Sequence, residues 1–165
     1  MNVSLKDFLK TGVFGAIEFG MTSDQILEML GSPDTIFTRR KNPRPTCFEY
    51  GDVEFYFFSS KDNRLSSIYL DHFDIPKGSQ LLNLDAWILR GTLSQSEVES
   101  VLTEAGISFQ PKEMSDSSMD GIITEGGVVL GFIRESEEYS PPSGLYNISL
   151  SVQENTETDA NERDA

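Results

Sequence analysis

The order of local signals in residues 20–71 returns in residues 91–152, and this recurrence constrains the chain more than any single motif does. In the first stretch Thr22-Ser23-Asp24-Gln25 forms a capping box: the Thr22 hydroxyl can accept from a free amide of the helix start, and Gln25 can reach back to the cap. Ile26, Met29 and Leu30 then make an apolar stripe at helical spacing, which Gly31 and Pro33 end. From Cys47 the period changes to two. Phe48, Tyr50, Val53, Phe55 and Phe57 alternate with Glu49, Glu54, Tyr56 and Phe58 around Gly51-Asp52, the pattern of a hairpin. After a turn at Asp62-Asn63, residues 65–71 read as a third strand with Ile68 and Leu70 inward.

In the second stretch Ser94-Gln95-Ser96-Glu97 is another capping box, Val98, Val101 and Leu102 give the stripe, and Gly106 stops it. The hairpin returns as residues 122–124 and 128–133 around Gly126-Gly127, and residues 145–152 supply the last strand. A helix, a hairpin and a third strand in the same order twice predict an internal duplication. The expected fold is therefore α+β: two tandem helix-on-antiparallel-sheet repeats, residues 1–75 and 76–152, forming one continuous or adjoining sheet with the helices on one face. The join falls between Phe73 and Leu84, where Pro76, Gly78 and Ser79 interrupt the pattern. A short helix over residues 4–11 precedes the first repeat, capped by Ser4, with Leu5, Phe8 and Leu9 on one face and Gly12 and Gly15 as its end. Residues 153–165 are polar and acidic without apolar period, which predicts a mobile tail.

Charge narrows the classes of partner. With 13 basic and 27 acidic residues the formal net charge is −14, which repels nucleic-acid phosphates and anionic membrane surfaces and suits a basic protein surface. The six residues from Arg39 to Arg44 hold four of the basic side chains, and they read as a mobile loop between helix and hairpin. No stretch approaches membrane-spanning length, and Asp7 and Lys10 interrupt the first apolar residues, so a cytoplasmic setting is expected. The single cysteine, Cys47, reads as a buried small hydrophobe. Trp87 reads as core at the junction of the halves, with an interface role left open.

The string Phe19-Gly20-Met21-Thr22, followed by Gln25-Ile26-Leu27, Leu30-Gly31 and Pro33, resembles the β-lactamase inhibitory protein fold. That fold is shared with the small outer-membrane assembly lipoproteins of the SmpA/OmlA group. Both use such a turn to open a helix that packs on an antiparallel sheet; the inhibitor carries two units in tandem. In the second half Gly91-Thr92-Leu93-Ser94 is a degraded version of the turn, and neither the lipidation cysteine nor the inhibitor's paired cysteines are present. The chain also resembles a group of bacterial proteins with the hairpin Tyr50-Gly51-Asp52-Val53-Glu54-Phe55, some associated with toxin and immunity loci. The resemblance implies a layer of helices on one side of the sheet and an opposite face open to a partner.

Strand alternation then names the open face: Glu49, Glu54, Tyr56, Phe58, Ser67, Tyr69 and Asp71. Glu49 and Glu54 come opposite each other across the turn, where like charges repel, and a basic partner would relieve that repulsion. Tyr56, Phe58 and Tyr69 are aromatic anchors of the type that dominates interfaces. Chemistry has little support. His72 is the only histidine, so a multi-histidine metal site needs an unusual substitute and a Ser-His-Asp arrangement has only His72 to draw on; Asp71-His72-Phe73-Asp74 reads as ordinary strand-end composition rather than a weak metal site. Gly51-Asp52 and Gly126-Gly127 are hairpin turns rather than phosphate loops. The expectation is a non-enzymatic protein-binding module of inhibitor or immunity type, without catalytic residue, cofactor or metal, occupying a basic protein such as a toxin. The alternative is a small-ligand or regulatory binding domain that forms a homodimer through the same face.

Overall fold

The computed structural model describes residues 1–40, 42–59, 62–134 and 144–153. Strand β1 (Asn2–Ser4) runs directly into helix α1 (Leu5–Thr11), where the Ser4 hydroxyl accepts from the Asp7 amide at 3.2 Å and Gly12 ends the helix in the left-handed region at φ 72°. Helix α2 (Ser23–Leu30) opens on the Thr22 capping box, with Gln25 Oε1 accepting from the Thr22 amide at 2.9 Å. Four strands follow: β2 (Thr35–Arg39), β3 (Asn42–Tyr50), β4 (Val53–Phe57) and β5 (Leu65–Asp71). A short β6 (Asn83–Asp85) leads to helix α3 (Gln95–Glu104), which opens on the Ser94 capping box. The chain closes with β7 (Phe109–Pro111), β8 (Met119–Thr124), β9 (Val129–Ile133) and β10 (Gly144–Ser151).

Eight strands form one antiparallel sheet in the order β2-β3-β4-β5-β10-β9-β8-β7. Each half supplies a helix followed by four strands, and the halves meet at the central pair, β5 against β10. The sheet is thus continuous across the middle of the chain. Strands β1 and β6 form a separate parallel pair that ties the N-terminus to the segment between the halves.

Register explains where the core sits. Tyr50, Val53, Leu70, Ile148, Leu130 and Ile122 are successive directly opposed partners from β3 to β8, and all six are buried. They share one apolar cluster with Leu5, Phe8 and Leu9 of α1, Ile26 and Leu30 of α2, and Val98 and Leu102 of α3, so the three helices cover this face. Each such side chain contributes roughly 1.5–3 kcal/mol by leaving water. Edge-on contacts of Phe14 with Phe8 at 5.0 Å and with Phe55 at 5.9 Å join α1 to the sheet through the loop after it. Two polar bonds fix the same layer: Tyr50 Oη donates to the Gly31 carbonyl at 2.8 Å, and Thr124 Oγ1 donates to the Leu9 carbonyl at 2.5 Å.

Several expectations need correction. The stripe of α2 is Ile26 and Leu30, whereas Met29 is exposed; the helix is short and buries a narrow strip. The basic segment is not a loop but the tip of a β2–β3 hairpin, with Lys41 outside the described residues. Strand β3 begins at Asn42 rather than Cys47, and β2 precedes it. Pro43 and Pro45 hide this strand in the sequence, since proline removes ladder donors. Two register shifts between Phe37 and Arg39 accommodate them. Of the acidic tail, residues 154–165 lie outside the described residues.

Candidate binding face

Alternation puts a second set of rows on the side of the sheet opposite the helices. Thr35, Glu49, Glu54, Tyr69, Ser149, Val129 and Ile123 are successive partners from β2 to β8. Phe37, Cys47, Tyr56, Ser67 and Ser151 form the next row, and Asp71, Asn147, Gly131 and Gly121 another. Six of the seven residues expected on the open face are therefore brought together: Glu49, Glu54, Tyr56, Ser67, Tyr69 and Asp71. Phe58 is not among these paired residues. It lies beyond β4, past a register shift between Tyr56 and Phe57, and its amide donates to the Arg64 carbonyl at 2.8 Å in the turn.

The central side chains contact one another. Tyr56 Oη donates to Glu54 Oε2 at 2.5 Å, and the Tyr56 and Tyr69 rings meet edge-on at 6.5 Å and 88°. Asp71 Oδ2 lies 3.0 Å from His72 Nδ1, and His72 Nε2 lies 2.5 Å from Tyr146 Oη, a chain of contacts that crosses the β5–β10 seam. His72 adopts φ 51°, a conformation that non-glycine residues rarely take and that holds its ring against Tyr146 at 4.8 Å. Asn147, directly opposite Asp71, has a buried Oδ1 with no hydrogen-bond partner among the described residues.

Electrostatics follow from this crowding. Burial raises the Glu54 carboxyl above its usual range; the Tyr56 hydrogen bond and His72 work against this, and Asp71 and Glu49 add to it. Burial also raises the Tyr56 and Tyr69 hydroxyls, with Glu54 adding to the first and Asp71 to the second. Cys47 is buried between Phe37 and Tyr56, and burial, with Glu54 and Glu49, pushes its thiol up to about 12. A thiol that stays protonated at neutral pH is a poor nucleophile. The face thus sets the carboxylates of Glu54 and Asp71 beside the rings of Tyr56 and Tyr69.

Sequence reasoning missed Phe37, Tyr146, Asn147 and the packing of His72. The signal for Phe37 was present in Thr35-Ile36-Phe37-Thr38, a β-branched and aromatic run. Tyr146 escapes alternation because the β9–β10 register shifts between Leu145 and Asn147. Trp87 packs partly buried against the core, with Lys6 Nζ 5.5 Å from its ring centre.

Elsewhere, a cavity of about 470 Å³ is lined by Gln95, Lys112, Met114, Asp116, Asp120 and Arg134 among others. The Arg134 guanidinium is already engaged by Asp120 at 2.6 Å and the Ser117 carbonyl at 2.8 Å. Among the described residues, no group of three His, Cys, Asp or Glu side chains is placed to hold a metal ion, and no helix is long and apolar enough to cross a membrane. No family model, no curated protein and no solved structure matches the chain.

Proposed function

We propose that the chain is a non-enzymatic protein-binding module of inhibitor or immunity type, which occupies a basic surface of another protein with its open sheet face. The observation that carries this reading is the gathering of Glu49, Glu54 and Asp71 around Tyr56 and Tyr69 on the side of the sheet opposite the helices. Glu49 and Glu54 are directly opposed and repel each other, and a partner's Arg or Lys relieves that repulsion while the tyrosines supply contact area. The net charge of −14 steers a basic partner towards the chain over a longer range. The resemblance to the β-lactamase inhibitory protein fold supports the same reading, as does a tandem duplication in which α2 to β5 and α3 to β10 are the two units. The proposed setting is cytoplasmic.

A second reading, a small-ligand or regulatory binding domain, has one observation in its favour, the cavity beside Lys112 and Arg134. The two separate in a capture experiment from lysate of the native cell. A protein retained by the wild type and lost by the Glu54→Lys, Tyr56→Ala double variant supports the first reading. A protein retained equally by both overturns the assignment to this face.

A further inference from the structure

The two edges of the sheet are not alike. Edge strand β7 has three residues and ends in Pro111, whose missing N–H discourages a further strand. Edge strand β2 has five residues, all exposed and none of them proline, and it carries Ile36 and Phe37, 52% and 46% exposed. A strand edge of this kind is a template for another strand.

Its charges specify which strand fits. One end of β2 is acidic: Asp34 precedes it, Glu49 lies opposite Thr35, and Asp52 is in the adjoining turn. The other end is basic, with Arg39 and Arg40 at the hairpin tip. A complementary strand places a cation beside Thr35 and a carboxylate beside Arg39. β2 itself, rotated about a two-fold axis and so running antiparallel, brings Arg39 beside Thr35 and the Glu49 carboxylate within reach of Arg39.

We propose that two copies of this chain associate through antiparallel pairing of their β2 strands, centred on Phe37. In that register Phe37 faces Phe37 of the second copy, Ile36 faces Thr38, and Thr35 faces Arg39. The side chain of the second copy's Arg39 then reaches over Thr35 to Glu49, and the symmetric contact forms at the other end. Thr35, Phe37 and Glu49 lie on the open face and Arg39 follows at the hairpin tip, so the pairing joins the two open faces side by side into one longer surface. Self-repulsion between two chains of charge −14 opposes association in any orientation, and the charge complementarity along β2 acts against it in this one.

Sedimentation equilibrium of the full chain tests this. The wild type is expected to have the mass of two chains, Arg39→Glu to fall to one, and the charge swap Arg39→Glu with Glu49→Lys to return to two. A wild type that stays a single chain at its highest soluble concentration overturns the proposal. So does a dimer that survives Arg39→Glu, which places the interface elsewhere. A swapped variant with wild-type circular dichroism that stays monomeric overturns the Arg39–Glu49 register.

Discussion

The Tyr56 hydroxyl donates to Glu54 Oε2 at 2.5 Å, two residues back along β4 on the same face. This bond is the main favourable partner of a carboxylate whose burial and acidic neighbours, Asp71 and Glu49, all favour its protonated form. Tyr56→Phe removes the bond and is expected to raise the Glu54 titration midpoint further. Carbon-detected titration of the Glu54 carboxyl by NMR reads the shift directly.

The sign for stability follows from the same carboxylate. Its value in the folded chain is raised, so its contribution is fully present below the unfolded value and is lost as pH rises through the folded one. Ionised Glu54 is therefore a net liability near neutrality. Glu54→Gln is expected to stabilise the chain there by a few tenths of a kcal/mol, a modest figure because the group is partly solvated. Urea unfolding near neutrality and in acid checks this, with the advantage of the variant shrinking in acid.

Neighbouring positions on β4 should respond very differently to truncation. Phe55 is fully buried and meets Tyr50 edge-on at 5.7 Å and Phe14 at 5.9 Å, so Phe55→Ala is expected to cost about 3–5 kcal/mol. Tyr56 lies on the other side of the strand and is 40% exposed, and Tyr56→Ala is expected to cost under about 1 kcal/mol. Similar losses for both would contradict the assignment of faces.

Helix α1 meets the β8–β9 turn backbone to backbone. A Cβ built on Gly126 would lie 2.5 Å from the Gly12 amide nitrogen and 2.7 Å from the Leu9 carbonyl oxygen. Gly126→Ala is expected to destabilise the chain by about 1–3 kcal/mol, since neither neighbour is a flexible side chain. Thermal or urea unfolding measures it.

Thr124 tests the same junction through polarity. Its buried hydroxyl donates to the Leu9 carbonyl near the end of α1. Thr124→Val keeps the shape but leaves that carbonyl without the bond, with an expected loss of about 1–3 kcal/mol by urea unfolding.

Much of this fold was legible because its signals are local. The Thr22 and Ser94 capping boxes lie within four residues, and the alternation of Phe48 to Phe57 spans one hairpin. Both helices, the inner strands and the Glu49–Glu54 opposition follow from such short patterns. What the sequence hid depends on partners far along the chain or on local irregularity. β1 and β6 are three-residue strands that pair across some eighty positions, as Asn2 with Asn83. β2 was obscured by Pro43 and Pro45 in its partner, and β4 ends at Phe57, one residue short of Phe58, where an extra residue in β5 shifts the register. Tyr146 meets His72 only because a bulge turns it out of alternation and His72 takes a left-handed backbone.

The central claim is that the open face is a partner-binding surface, and capture from native lysate with three baits tests it most directly. The baits are wild type, Glu54→Lys with Tyr56→Ala on the open face, and Glu104→Lys at the exposed end of α3 on the covered side. The account expects one protein to be retained by wild type and by the helix variant and lost by the open-face variant. Retention by the open-face variant with loss by the helix variant would contradict it.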